Sequence, residues 1–572
     1  MLSLLIVWSV LGGFTLVLGA AALRFFRVEA GNSAGGEENH LFRALWTGLL
    51  LLAWLLLVWS LFAPITPITG LALTLGCGMA LLLWAELRRD CLRLLRRGYR
   101  SGGLMTPLLA LGAALAVTQP MSNRDALAYH LDLIQIMSRV GLVPGLGLIH
   151  DRFGFVSSWF AIPALFNHGP LSGRVGVVAN GYAFFLMLAH LRMAATRVLR
   201  GRGDPADWFV SAALSVGVLF PVYLGFPVGS TADFAVLLYI LIVAWTALTV
   251  YSRGAVPPSG FRDPRLLPLF MGALLFSVKL SAIPVPAVAG VLYLISCRFR
   301  LRAFVTGGAF TALLIPWFSA SIVVTGFLMY PGPWRLNLPW TMGHHQALEI
   351  THWGQPGRLA APSPSLDWLR RWLSLDVTHQ IGFAYFLAGV VFLLCVLLRH
   401  RRRLPDLSPL LLTGIFGVAF MWARAPSVRF GWGYLVILPC AFFPLYGPGL
   451  NVKIQRLKFS PPMAGALAFI ACLAILFGLS LPGWTESAQR VRDAVREGRL
   501  APDDGNRLLR PPIPPRIRFD DVAGTVEPDT RHVEDPRAYL DGPRAMTYPL
   551  IPPRGVHFRD PEAGPRRGFR HE

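Results

Sequence analysis

Long apolar runs separated by short arginine-rich segments constrain the fold of this chain more than any other sequence feature. Hydrophobic types make up 54% of the 572 residues, and charged types make up only 15%. A soluble protein carries roughly a quarter charged residues, whereas runs of about 18 or more apolar residues are typical of membrane-spanning helices. The sequence therefore predicts an all-α, polytopic transmembrane helical bundle.

We predict about 12–14 spans, because each run must satisfy its own backbone N–H and C=O groups in lipid. The first run lacks a basic n-region and a convincing cleavage site, so it is interpreted as a retained helix. The predicted helices lie near residues 2–23, 44–63, 67–87, 103–118, 174–192, 208–225, 233–251, 266–281, 283–297, 303–327, 381–398, 409–423, 431–448 and 462–481.

Basic residues cluster in alternate connections, which sets the predicted orientation. In a soluble protein the net charge of +22 would suggest nucleic-acid binding, but here the positive-inside rule accounts for the clusters without a nucleic-acid partner. The predicted cytoplasmic segments are residues 88–100, 192–202, 253–265, 298–302, 399–403 and 453–458. The opposite, external face then carries residues 119–173, 226–232, 328–380 and the tail after 482.

Composition divides the chain into three predicted parts. Residues 1–100 are accessory N-terminal transmembrane helices, and residues 101–481 are the transmembrane core with the two long external loops. Residues 482–572 are an external C-terminal extension, rich in proline and arginine, without a long apolar run. That composition predicts loose packing on the loops or partial disorder.

An acidic residue opens the first long external loop. Asp125 follows the fourth predicted span, and a helix there would place Asp125, Tyr129 and Asp132 on one face, beside His130. A carboxylate at the membrane surface can act as a general base on an acceptor hydroxyl. The alternative is structural, with Asn123 or Asp125 capping this helix.

Farther along the same loop, His150 and Arg152 follow a Pro-Gly-x-Gly turn. An arginine can hold a phosphate through two hydrogen bonds, which favours an anionic ligand near this turn. The alternative is a surface ion pair between Asp151 and Arg152.

Three further cations stand where cations are disfavoured. Lys279 lies inside an apolar span, where an ionisable group needs a partner or a water-filled cavity. Arg424 and Arg429 bracket a turn on the predicted external face, against the positive-inside rule, which indicates a bound anion. The alternatives are snorkelling of Lys279 to the headgroups and salt bridges from the arginines to the tail.

The remaining candidates have competing structural interpretations. Asp233 begins the seventh predicted span, where its charge suits the helix dipole. Tyr330, with nearby tryptophans in the second long loop, is either a sugar-stacking surface or part of an interfacial aromatic belt. No cofactor is certain; a divalent metal on His345, Glu349 and His352 is an alternative, although their order is not the zinc-protease His-Glu-x-x-His.

Taken together, these segments resemble the GT-C superfamily of membrane glycosyltransferases, and in particular its poorly characterised bacterial multi-pass members. The similarity is spread over roughly residues 100–450 and rests on the order and shared sidedness of its segments. The matching segments are residues 124–130, 143–155, 157–160, 229–233, 278–281, 326–331 and 425–431.

The resemblance implies transfer of a sugar from a polyprenyl-phosphate-linked donor to a glycan, lipid or protein of the cell envelope. The reaction would take place at the external face of a bacterial inner membrane. It implies Asp125 as the catalytic base. The implied donor-phosphate ligands are Lys279, Arg424 and Arg429, and the implied donor- or acceptor-binding residues are Tyr129, His130, His150, Arg152, Asp233 and Tyr330.

The sequence departs from the family in one respect. Many members place a second acidic residue beside the first, whereas Asp125 has no acidic neighbour; Asp132, Asp151 and Asp233 are the candidates for that role. Two other functions fit the same residues. One is a transporter or flippase for a lipid-linked or amphiphilic anion, and the other is a non-catalytic scaffold that binds polyprenyl lipids.

Overall fold

A computed structural model of the chain is predominantly α-helical. The described residues are 1–29, 36–119, 123, 125–251, 260–344, 347–348, 350, 366–480, 556–559 and 568–571. Within these ranges nine helices are long and apolar enough to cross a membrane, and two bent pairs raise the number to 11 if each is one span. The predicted all-α, polytopic class is therefore confirmed.

The N-terminal half contains both long spans and short connecting helices. They are α1 (Leu2–Phe25), α2 (Gly36–Ser60), α3 (Pro67–Leu83), α4 (Ala85–Gly102), α5 (Met105–Val117), α6 (Leu131–Arg139), α7 (Ala161–Phe166), α8 (Val178–Leu199), α9 (Pro205–Gly217), α10 (Leu219–Tyr223) and α11 (Ala232–Tyr251). A π-helical turn, Ala126–His130, leads directly into α6.

The C-terminal half continues the bundle and ends in two short strands. The helices are α12 (Leu267–Phe276), α13 (Pro284–Ser296), α14 (Leu301–Ala309), α15 (Ile315–Thr325), α16 (Leu366–Ser374), α17 (Val377–Arg399), α18 (Leu404–Arg424), α19 (Val428–Cys440), α20 (Phe442–Arg456) and α21 (Pro461–Ser480). The strands are β1 (Val556–Phe558) and β2 (Phe569–His571).

Several predicted spans are shorter or more broken than the sequence suggested. Three predicted spans correspond to the short apolar helices α5, α12 and α13, and a fourth is divided between α14 and α15 by a 3₁₀ turn. The axes of the consecutive helices α19 and α20 differ by 41°. Breaks of this kind are tolerated at membrane depth where they are buried in protein or line a cavity.

The arginine-rich segment 88–100 was expected as a loop, but it is helical. It forms most of α4, which turns by 104° from the axis of α3. Leu87, Cys91 and Leu94 are buried on one face, at the i, i+4 and i+7 spacing of a helix. Apolar contacts with α1 and α2 therefore stabilise a helix in a segment whose charge alone suggests a loop.

Close packing of α1 on α2 depends on glycine. A Cβ atom at Gly19 would collide with the backbone of Ala44, and one at Gly48 would collide with the backbone of Thr15. Small residues allow the two backbones to approach, which is how helices associate when lipid competes for apolar surface. The N-terminal hairpin of the bundle therefore depends on two positions without side chains.

The helices run between two ends of the bundle. The loop end carries residues 60–66 and 125–177, joined by backbone hydrogen bonds from Leu142 N–H to Ser60 (2.8 Å) and from Ile65 N–H to Met137 (2.9 Å). The arginine end carries the basic segments 88–100 and 197–202.

The C-terminal strands lie against the loop end. They form an antiparallel pair, with Val556 opposite His571, and Gly568 packs on Pro144. The Arg559 guanidinium lies 4.8 Å from the ring centroid of Trp340. The described residues of the predicted C-terminal extension therefore contact the loops, while residues 481–555 lie outside the described ranges.

A buried ion-pair network joins α2, α8 and α9 near the arginine end. Arg197 donates to Asp207 at 2.5 Å, to Asn39 at 2.7 Å and to Glu38 at 3.4 Å. Asp207 also belongs to a capping box with Asp204 at the start of α9. All the partners of Arg197 are buried, so its charge neutralises acids that have little access to water.

We predict that Arg197→Gln strongly destabilises the protein. The substitution leaves Asp207 buried without its cation, which typically costs about 3–5 kcal/mol of the free energy of unfolding, whereas Glu38 keeps its ion pair with Arg97. The measurement is SDS-induced unfolding in mixed micelles, followed by tryptophan fluorescence. Arg202→Gln, at an exposed arginine of the same end, is the matched control and should change this free energy by less than about 0.5 kcal/mol. Equal losses in the two variants would contradict the role assigned to the network.

Candidate functional site

Three helix ends bring charged side chains together at the loop end. Asp233 lies in the first turn of α11, and Arg429 lies in the first turn of α19. Lys279 lies in the break between α12 and α13, where its backbone is extended and Pro284 begins the next helix. Because the chain is interrupted between α12 and α13, Lys279 lies at a helix end. In a continuous span the same side chain would project from the side of the helix.

Asp233 is the buried carboxylate of this cluster. It pairs with Lys279, accepts a hydrogen bond from Arg429 Nε at 2.6 Å and lies 3.3 Å from Thr231 Oγ1. The Asp233 side chain is 1% exposed, whereas the side chains of Lys279 and Arg429 are 28% and 31% exposed. The two cations therefore have an accessible surface, while a buried carboxylate holds them in position.

Asp125 approaches the same arginine from the loop over residues 119–173. Its carboxylate pairs with Arg429 Nη2 and accepts a hydrogen bond from Arg152 Nη1 at 3.2 Å. Asn123 is the residue that caps the helix, because its Oδ1 accepts the Ala126 N–H at 3.0 Å. The Asp125 side chain makes no capping hydrogen bond, so its carboxylate belongs to the charged cluster.

The five linked side chains, which we call the charge network, carry an excess of positive charge. Arg152, Lys279 and Arg429 contribute three positive charges. Asp125 and Asp233 contribute two negative charges, so the net charge of the network is +1. Excess charge with restricted access to water is costly unless a counter-ion is bound. Because the side chains of Lys279 and Arg429 are partly exposed, their N–H groups can donate to an anion.

Two members of this site were not singled out from the sequence. The Phe430 ring lies 4.5 Å from Lys279 Nζ and 5.5 Å from Arg429 Cζ, so it packs against both cations. Thr231 hydrogen-bonds the Asp233 carboxylate and also accepts the Asp233 N–H at 3.3 Å. From the sequence alone, Phe430 and Thr231 could be found only by their position, because each lies within two residues of a charged member of the network.

Opposing effects act on the pKa of Asp125. Burial alone raises it, but the positive charges of Arg429 and Arg152 outweigh burial and hold the pKa of this carboxyl well below its usual value. Burial also raises the pKa of Tyr129, whose ring centroid lies 5.7 Å from Arg152 Cζ. Asp125 is therefore ionised, and Tyr129 is neutral, across the physiological pH range.

His130 is buried beside the charge network. Its ring lies 4.3 Å from the Tyr129 ring and 4.7 Å from the Phe160 ring. Nδ1 has no hydrogen-bond partner in the described part of the chain. Burial lowers the pKa of His130 to about 3, despite the negative charge of Asp125 nearby. The ring is therefore neutral at pH 7.

His150 is tied to Arg152 through the backbone. Its Nδ1 accepts the Arg152 N–H at 3.1 Å and lies 3.1 Å from Asp151 Oδ1. The 3₁₀ turn that follows, Asp151–Gly154, therefore begins at a histidine cap. This cap positions the residue whose guanidinium reaches Asp125.

Two other predicted site residues lie outside the contacts of the charge network. Tyr330 is 1% exposed, and its ring packs against Phe155 and Phe327 with centroids 5.6 and 5.7 Å away. Its hydroxyl has no hydrogen-bond partner among the described residues. Arg424 ends α18 and is exposed.

The described residues contain no group of three or more His, Cys, Asp or Glu side chains arranged to hold a metal ion. The alternative metal set of His345, Glu349 and His352 lies outside the described residues. Among the candidates for a second carboxylate, Asp233 is linked to Asp125 through Arg429. Its contacts are those of a residue that orients cations.

We predict that His130 contributes to acid sensitivity between pH 7 and pH 5. Because its folded pKa is about 3 and an unfolded histidine titrates near 6.5, the unfolded state gains the proton first and stability falls as the pH drops below 6.5. At pH 5 this loss amounts to about 2 kcal/mol. The Tm of His130→Gln should therefore decrease less than that of the wild type over this pH range.

The matched control is His344→Gln, at an exposed histidine that follows α15 in the chain. This variant should keep the full wild-type decrease in Tm between pH 7 and pH 5. If His130→Gln and the wild type lose the same Tm on acidification, His130 is already protonated or exposed in the folded protein, and the assigned burial is wrong.

Comparison with known proteins yields one match. No curated protein and no solved structure matches the chain. One protein family matches over residues 1–436, and it is described as a domain of unknown function, DUF8201. The matched range begins at α1 and includes every member of the charge network. Because it covers more than half of the 572 residues, the chain belongs to the DUF8201 family.

Proposed function

We propose that the protein is a GT-C-type membrane glycosyltransferase that uses a polyprenyl-phosphate-linked sugar as its donor. The acceptor would be a glycan, lipid or protein of the cell envelope, on the external face of a bacterial inner membrane. The observation that carries the proposal is the shared contact of Arg429 with Asp125 and Asp233. It places a carboxylate beside cations that have an excess positive charge.

The chemistry of sugar transfer requires both parts of this arrangement. The bond between the anomeric carbon and the phosphate oxygen breaks, and the polyprenyl phosphate leaves with the electron pair. Lys279 and Arg429 would stabilise this oxyanion, since fixed cations act strongly where water is excluded. Asp125 would accept the proton of the acceptor hydroxyl as its oxygen bonds to the anomeric carbon.

Donor binding would also adjust the base. Arg429 and Arg152 hold the pKa of Asp125 well below its usual value, which makes Asp125 a weak base. A phosphate that takes over hydrogen bonds from Arg429 would weaken this interaction and raise the pKa of Asp125. The base would therefore gain strength when the donor is in place.

The residues around the charge network have secondary roles in this proposal. His150 would flank the donor, and Arg152 would do so while holding Asp125 in position. Tyr129 and the neutral His130 would bound the acceptor side, whereas the Tyr330 ring is buried against Phe155 and Phe327 and would act by supporting the loop rather than by stacking on sugar. The orientation rests on the positive-inside rule, which assigns the arginine end to the cytoplasm and the charge network to the opposite face.

A transporter or flippase for an anionic lipid is the second candidate. The break at Lys279 between α12 and α13 favours it, because broken helices often bind substrates in transporters. Against it, the linked charges lie at one end of the bundle. A non-catalytic lipid-binding scaffold is the third candidate, and it would bind the donor without turnover.

We predict that Asp125→Asn abolishes sugar transfer. The purified protein would be given a panel of polyprenyl-phosphate-linked sugars and a cell-envelope extract as acceptor, and release of free polyprenyl phosphate would be measured by mass spectrometry. Loss of the base should lower kcat by about 100-fold or more, with donor binding retained. Asp132→Asn is the matched control, because it removes a carboxylate from the neighbouring helix α6.

Turnover that is unchanged in Asp125→Asn would exclude Asp125 as the base. Flipping of the same lipid across liposome membranes, at equal rates in both proteins, would instead support a transporter. Binding without turnover or flipping in the wild type would support the scaffold.

We predict that Arg429→Gln weakens binding of polyprenyl phosphate at least 10-fold. The variant removes a charge-assisted phosphate ligand, which contributes about 1.5–3 kcal/mol. It also leaves Asp125 and Asp233 without their shared cation, so the binding assay should include Lys279→Gln as an independent test of the same pocket. Arg370→Gln, at an arginine whose side chain is 81% exposed, is the control and should bind normally. Normal binding by both pocket variants would overturn the phosphate assignment.

A further inference from the structure

The helix α4, at the arginine end, carries a line of arginines that the charge network does not include. Arg89, Arg93, Arg96 and Arg100 follow the i, i+4, i+7 and i+11 spacing that places residues on one helix face. All four are exposed. We call this face the arginine stripe.

The acids near α4 are paired with other cations. Arg24, at the end of α1, pairs with Glu86 and with Asp90, the latter at 2.9 Å. Arg97, on another side of α4, pairs with Glu38 at 2.9 Å. Within the described ranges, no carboxylate lies at ion-pair distance from the arginine stripe. Its four charges are therefore available to an external anion.

A second face of α4 is apolar and also exposed. Leu92, Leu95 and Tyr99 repeat at i, i+3 and i+7 and are 46%, 55% and 82% exposed. A third face, including Leu87 and Leu94, is buried against α1 and α2. The helix thus presents exposed apolar groups and exposed arginines side by side, after turning by 104° from the apolar helix α3.

A cleft with a volume of about 690 Å³ adjoins the arginine stripe. Arg93 of the stripe lines it together with Arg27 and Arg262, which make no ion pair in the described part of the chain. Phe25 and Trp84 also line the cleft and are 46% and 39% exposed. Glu29, Glu37, Glu86 and Asp90 line the same cleft, so its acids balance its arginines, and the uncompensated positive charge of α4 lies on the arginine stripe.

We propose that α4 is an interfacial helix whose arginine stripe binds the phosphate groups of anionic phospholipids. Guanidinium groups bind phosphate through paired hydrogen bonds, and basic amphipathic helices lie in the headgroup plane with their apolar face toward the acyl chains. Leu92, Leu95 and Tyr99 provide that apolar face. The proposal is independent of the reaction assigned to the charge network, since it concerns the other end of the bundle.

The test compares lipids that differ in headgroup charge. The full-length protein in a non-ionic detergent is mixed with phosphatidylglycerol or with phosphatidylcholine of the same acyl chains, and Tm is measured by tryptophan fluorescence. The wild type should gain more Tm from phosphatidylglycerol than from phosphatidylcholine. Arg89→Gln/Arg96→Gln should lose at least half of this difference, and Arg89→Lys/Arg96→Lys should keep more of it.

The matched control is Arg401→Gln/Arg402→Gln, which removes the same charge from another exposed basic segment. It should keep the wild-type difference between the two lipids. Native mass spectra should also retain fewer phosphatidylglycerol molecules on the stripe variant than on this control.

Three results would overturn the proposal. The first is an equal phosphatidylglycerol effect in the wild type and the stripe variant. The second is an equal loss in the stripe variant and the control, which would indicate general charge screening. The third is an equal gain in Tm from inorganic phosphate, which would indicate a site for free anions.

Discussion

The guanidinium of Arg429 joins two carboxylates that are far apart in the chain. It contacts Asp125, 304 residues away, and Asp233, 196 residues away, and thereby links a loop to the first turns of two helices. Each of these acids would be costly to bury alone, and so would the arginine. The three segments therefore stabilise one another at the loop end, and the relative positions of α11, α19 and the loop depend on this shared contact.

The burial of Asp233 behind two partly exposed cations has a functional consequence. A carboxylate at the back of the site fixes Lys279 and Arg429 before any ligand arrives, so little reorganisation is needed when an anion binds. The same cations also hold Asp125 and keep its pKa well below its usual value, so in the proposed function an anion that competes for them would strengthen this base. In the proposed function, the same geometry would both prepare the site for a phosphate and restrain its carboxylate.

The two ends of the bundle use arginine in different ways. At the loop end, Arg429 and Arg152 are paired with acids inside the protein. At the arginine end, Arg197 is buried with acids, whereas the arginine stripe of α4 is exposed without carboxylate partners in the described ranges. Paired and buried arginines hold helices together, and unpaired arginines beside exposed leucines suit the boundary between lipid and water.

The sequence by itself determined the membrane-spanning class and most of the spans, because the transfer of apolar residues out of water depends on local composition. It also singled out Lys279 and Arg429, because each is a cation in an unfavourable place, and Asp125, because it is the acid that opens the first long external loop. It did not identify α4 as a helix, since the charge of residues 88–100 obscured the spacing of Leu87, Cys91 and Leu94. It left open whether Asn123 or Asp125 caps the turn, and whether Asp233 serves the helix dipole or the site. Only the tertiary structure decided these points, because ion pairs between distant residues depend on how the helices pack.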